Sequence, residues 1–121
     1  MSCSDLPAGF LDIETHDDGS EILRPTALCR GPWDPDSCHA GPPTAALARA
    51  AERALPDLQL VRLTTEIMKP IPMAGFTVTA EVSKPGRTVA NCVIELRNLD
   101  GALIAISHSA HLASRPPAAD I

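Results

Sequence analysis

The chain has 121 residues and a formal net charge of −5, with 45% apolar and 21% charged residues. That is one domain's worth of ordinary globular composition, long enough to bury a core without disulfides or metal. Only Phe10, Trp33 and Phe76 are aromatic, which removes the stacking platforms of nucleic-acid modules, and the acidic balance removes the basic footprint that phosphate backbones require.

No apolar run approaches the roughly 20 residues of a membrane helix. The start, Met1-Ser2-Cys3-Ser4-Asp5, has neither a basic nor an apolar stretch of the kind that directs secretion. Cys3, Cys29, Cys38 and Cys92 form no Cys-x-x-Cys pair, so they read as reduced thiols of a cytoplasmic protein. Cys38 beside His39 lacks a second ligand pair at metal-site spacing, and no metal is expected.

The first element predicted is a hairpin. Phe10–Glu14 and Glu21–Leu28 are extended, joined through Asp18-Gly19, with Pro25 marking the second strand as an edge or bulged one. Residues 29–41 are too rich in Gly, Pro and Asp for regular structure. Pro42-Pro43 then opens a helix over 44–55, stopped by Pro56. Its inward positions are almost all alanine, with Leu47 and Leu55 as the large apolar exceptions, so it suits a sheet that curves around it.

The remainder alternates as strands: Leu58–Met68; Phe76, Val78, Ala80 and Val82 on one face of the next; then Ala90, Cys92, Ile94 and Leu96 on one face of 88–97. Turns fall at Pro85-Gly86 and Asn98–Gly101. In the last strand, 102–112, Ile104, Ile106, Ala110 and Leu112 share a face with His108, which predicts a core or interface histidine there. The order is α+β: a single hotdog domain over 8–113, a curved antiparallel sheet around one alanine-rich helix, with flexible termini at 1–7 and 114–121.

Three stretches carry a family resemblance. They are Gly31-Pro32-Trp33 followed by His39-Ala40-Gly41-Pro42-Pro43; Arg62 through Pro72; and Glu81 through Arg97. Together they resemble the hotdog acyl-CoA thioesterase superfamily, and most of all the N-terminal half of TesB-like thioesterases. The resemblance implies an acyl-CoA or acyl-carrier thioester as substrate and CoA as its only cofactor-like part. It also implies a homodimer, or a tetramer of hotdogs, with the cleft between subunits.

The helix start offers unpaired amides to a thioester carbonyl, and Gly41 is the best placed because no Cβ blocks approach. Asp34, Asp36, His39 and Glu66 are the candidates to orient water. Arg62, Arg87 and Arg97 are candidates for the CoA phosphates. Trp33 reads as packing at the loop base or in a dimer contact.

Two departures matter. In the PaaI-like branch a helix carboxylate nine residues after the loop histidine activates water, and here that position is Ala48. In TesB-like proteins the catalytic Asp, Thr and Gln belong to a second hotdog. The alternatives are therefore a non-catalytic acyl-CoA-binding subunit, or an enoyl-CoA hydratase. For the latter, Asp34 and His39 resemble the Asp-x-Asn-x-x-His signature with Asp36 in place of Asn.

Overall fold

The computed structural model describes Pro7 and residues 9–114. Apart from Pro7 and Ser114, the termini expected to be flexible (1–7 and 114–121) lie outside the described residues. The elements are β1 (Leu11–Thr15), β2 (Glu21–Pro25), a 3-10 turn (Ala27–Cys29), α1 (Gly41–Ala54), β3 (Gln59–Ile67), β4 (Phe76–Lys84), β5 (Val89–Asn98) and β6 (Leu103–Leu112). All strands join one antiparallel sheet in the order β1-β2-β4-β5-β6-β3. One helix against an open six-stranded antiparallel sheet is the hotdog arrangement.

Helix α1 begins three residues earlier than predicted. Pro42 and Pro43 lie inside its first turn, both buried, where a missing N–H breaks no intrahelical bond. Ala46, Leu47 and Ala51 face the sheet, which α1 touches at β3, β4 and β5. Leu47 is 1% exposed and is the one large side chain of the helix fully in the core, beside Phe76, Ile94 and Leu96.

The predicted inner face of β5 holds, with Ala90, Cys92, Ile94 and Leu96 buried, whereas on β4 only Phe76 is buried, Val78 and Ala80 are half-buried and Val82 is exposed. The first hairpin closes as read, with Gly19 at φ +86°, a left-handed conformation that favours glycine. At the β4–β5 turn a Cβ on Gly86 would overlap the Val89 carbonyl, so only glycine fits.

Three expectations are corrected. First, β2 is not an edge, because β1 covers its other side; Pro25 is tolerated as the strand's last residue, and the segment expected to extend to Leu28 turns at Ala27–Cys29 instead. Secondly, β6 faces the other way from Ala105 onward, although Ile104 is buried as expected. Cross-strand partners share a face, and Cys92, Ile94 and Leu96 pair with Ser109, Ser107 and Ala105. Ser107, Ser109 and His111 are therefore buried, while His108 and Leu112 are exposed.

The serines tolerate burial because their hydroxyls are paired: Ser107 with Thr65 Oγ1 at 2.7 Å and Ser109 with His111 Nε2 at 2.8 Å. Thirdly, of the two readings of Trp33 the loop base is ruled out, because within one chain it is 95% exposed at the loop tip. Cys29, Cys38 and Cys92 are free thiols, and Cys3 lies outside the described residues. No helix among the described residues is long and apolar enough to cross a membrane.

Two stability outcomes follow. Leu47→Ala should cost about 2–5 kcal/mol in urea unfolding, because the alanine-lined helix has no neighbouring bulk to collapse into the void. His111 is fully buried and its Nδ1 has no partner. Burial pulls its pKa below the ordinary 6.5, opposed by the Glu52 carboxylate. Above pH 6.5 both folded and unfolded forms are neutral. Below it the unfolded chain takes up the proton first, so stability should fall as pH drops from 7.5 to 5. His111→Gln should flatten that slope, as read by denaturation midpoints at the two pH values.

Candidate functional site

The loop before α1 is folded on itself. Gly31 N–H donates to the Ser37 carbonyl at 2.8 Å, and Arg30 bridges to Cys38. Asp34 organises its tip: Oδ1 accepts the Asp36 amide at 2.9 Å and Oδ2 accepts the Ser37 hydroxyl at 3.2 Å. Such aspartate turns follow from a short side chain that reaches its own backbone two residues on. The loop is then pinned to the chain after β3, through Cys38 N–H to the Ile71 carbonyl (2.8 Å) and Met73 N–H to the Asp36 carbonyl (2.9 Å).

His39 is held on both sides. Its amide donates to the Cys29 carbonyl at 2.8 Å, and its Nε2–H donates to the Leu28 carbonyl at 3.0 Å. Since a carbonyl only accepts, the neutral ring carries its proton on Nε2 and presents a lone pair on Nδ1. The Phe10 ring meets the imidazole edge-on, with centroids 6.4 Å apart at 86°. Nδ1 lies 3.6 Å from where a Cβ on Gly41 would stand, so the free nitrogen borders the first residue of α1.

Ala40 and Gly41 are both exposed there, whereas Pro42 and Pro43 have no N–H to offer. Thr44 turns inward, its N–H and hydroxyl both on the Ala40 carbonyl. The amides of Ala40 and Gly41 are thus the outward donors at the positive end of the helix.

A depression of about 390 Å³ opens beside this end, bounded by Trp33, Asp34, Cys38, His39, Ala40 and Pro70. That is the size of a small-molecule pocket. Burial, reinforced by the neighbouring Cys29, pushes the Cys38 thiol up to about 11, so Cys38 is an apolar wall and not a nucleophile.

The structure thus places Asp34 and His39 on the depression, with Gly41 beside His39 but not itself lining it. Asp36 shares the loop but does not line the depression. Glu66 and Arg62 lie on the outer face of the sheet, since their partners Ile106 and Ala110 alternate with the buried residues of β6. Arg97 is paired with Glu95 and donates to the Gly101 carbonyl at 3.0 Å. Arg87 sits in the β4–β5 turn at a separate depression near the end of α1.

None of these three arginines reaches the depression beside Gly41 within one chain. Among the described residues no group of three or more His, Cys, Asp or Glu could hold a metal ion. Pro70 and the Leu28 carbonyl were not singled out from sequence; the Lys69-Pro70 break after β3 was the only signal for the first, and nothing signalled the second.

The family model for the acyl-CoA thioesterase N-terminal domain matches residues 29–113, so the chain belongs to that family. Its fold is shared with a Bacillus halodurans protein solved with CoA (TM-score 0.70, 18% identity, covering 88% of this chain and 75% of that one). A hypothetical thioesterase from Streptococcus pneumoniae, solved with coenzyme A, is similar at TM-score 0.70 and 13% identity, covering 89% and 91%. The E. coli PaaI protein from the phenylacetic acid degradation operon follows at 0.67 and 21%, covering 84% and 82%. Among curated proteins there is no significant match.

The role of Asp34 is separable by substitution. Asp34→Asn keeps an oxygen for the Asp36 amide and should hold thermal stability near that of the parent. Asp34→Ala should lose about 1 kcal/mol, measured by chemical unfolding.

Proposed function

We propose that this chain hydrolyses fatty acyl-type thioesters of CoA, or of an acyl carrier, at the depression beside the start of α1. The observation that supports this most is the imidazole of His39, fixed through Nε2–H to the Leu28 carbonyl with Nδ1 free beside Gly41. The thioester carbonyl accepts from the amides of Gly41 and Ala40. Nδ1 takes a proton from water as the oxygen attacks the carbonyl carbon, and charge builds on the carbonyl oxygen at the positive end of the helix.

When the C–S bond breaks, the sulfur leaves as thiolate and receives the proton from Nδ1. The products are the free acid and the thiol. No other cofactor enters. Asp34 is committed to its own turn, so the proton transfer belongs to His39 alone in this scheme, and the hydratase alternative loses its acid.

CoA in the two similar structures supports the substrate class. We further propose a cytoplasmic homodimer joined along the free edge of β3, where Val61 and Ile67 are exposed. In such a dimer Glu66, Arg62 and Arg97 belong to the rim and outer face, and phosphate contacts would come from across the interface. The second reading, a hotdog that binds acyl-CoA without turnover, is favoured by one residue: half-buried Ala48 stands where a helix carboxylate is expected.

A thiol-release assay over acyl chain lengths separates the two. The hydrolytic reading expects turnover with at least one chain length and a loss of about 100-fold or more in kcat for His39→Ala at unchanged fold. Stabilisation by acyl-CoA with no thiol release from any substrate, by a folded protein, selects the binder.

A further inference from the structure

A second opening lies on the side of α1 away from β3, and its origin is in the strand register. β2 meets β4 at a single pair, Leu23 with Phe76. From there β4 runs on to Lys84 while β2 diverges toward Glu21. The gap is roofed by α1, which presents Ala46, Ala50 and Ala54 there, residues too short to fill it. A groove of about 320 Å³ results, floored by Leu23, Val78 and Ala80. Val78 and Ala80 stay half-exposed although they are on the inner face of the sheet.

Cations rim this groove. Arg49 grips Glu21 with both ends of its fork, Nη1 to Oε1 at 3.1 Å and Nη2 to Oε2 at 3.2 Å. Arg53, one helical turn further, spends only Nη1 on the same carboxylate, at 3.0 Å. Two guanidiniums against one carboxylate leave one positive charge, and Arg53, with its side chain 59% exposed, carries the free donors. Glu21 also shows which chemistry these arginines take, since its carboxyl is held ionised below the usual range by Arg49 and then Arg53. A planar fork pairs with a second carboxylate in the same way.

We infer that the groove between α1 and β4 binds a single-chain amphiphile with a carboxylate head. Its tail lies on Ala50, Val78 and Ala80, and its head on Arg53. This site is separate from the depression at the helix start and its occupancy does not depend on hydrolysis there. The acid released by a thioesterase is one member of the ligand class.

The test is calorimetric or NMR titration of the folded chain with octanoate, alongside acetate (head without tail) and octanol (tail without charge). Octanoate should bind saturably, and the other two should bind at least about tenfold more weakly. Arg53→Gln should weaken octanoate about tenfold by removing the charged head contact. Ala50→Leu should abolish binding by filling the groove from its roof. His39→Ala should leave binding unchanged, and Arg53→Gln should leave thiol release unchanged.

Absence of saturable octanoate binding overturns the inference. So does octanol binding as tightly as octanoate, or affinity that survives Arg53→Gln but falls in His39→Ala. If Ala50→Leu fails to fold, Arg53→Gln decides alone, because Arg53 is mostly exposed and Glu21 keeps both of its bonds to Arg49. A chain that releases no thiol but still binds octanoate through Arg53 would lose the hydrolytic proposal and keep this one.

Discussion

The close approach of α1 to the concave side of the sheet sets everything else. A helix that presents Ala46 and Ala51 to β-strands can sit nearer to them than one lined with leucine, and Leu47 alone supplies a bulky anchor among Phe76, Ile94 and Leu96. That proximity fixes where the helix begins. With Pro42 and Pro43 buried at its first turn, the amides of Ala40 and Gly41 are directed outward and not into the core. The same shortness has a second consequence, because alanines on the side of α1 toward β2 leave space that no side chain fills.

The loop that precedes α1 is rigid for a different reason. It carries little apolar burial of its own; its shape comes from backbone bonds to the chain after β3 and from one aspartate closing its tip. A histidine placed on such a loop inherits the loop's precision. The Leu28 carbonyl then decides which imidazole nitrogen is free, a choice that carries chemical meaning only because that nitrogen borders Gly41.

Much of the fold was legible in the sequence. Alternation in β4 and β5 was unambiguous because their inner positions are all apolar, and tandem prolines announced the first turn of α1. β6 misled for a physical reason: beyond Ile104 and Ala105, which are in the core, its inner positions are Ser107, Ser109 and His111, polar groups that burial permits once neighbours satisfy them. No single-strand pattern reveals that; only the pairing partner on β5 does. Trp33 does not fill the loop base because the loop closes through backbone bonds and leaves its tip outward.

The site was legible where it is local in sequence. Asp34 and His39 lie within one short stretch and share the depression, with Gly41 beside His39, while Glu66, Arg62, Arg87 and Arg97 are far apart in sequence and scatter over the outer face and a distant turn. The arginine-rimmed groove escaped notice because Glu21, Arg49 and Arg53 are joined only by the divergence of β2 from β4. The most direct test of the central claim is a crystal structure with an acyl-CoA analogue whose thioester sulfur is replaced by methylene, leaving the carbonyl intact. The account predicts that carbonyl oxygen at about 2.7–3.1 Å from the Gly41 amide, with His39 Nδ1 facing the carbonyl carbon. A carbonyl bound elsewhere, with the Gly41 amide left to solvent, would contradict it.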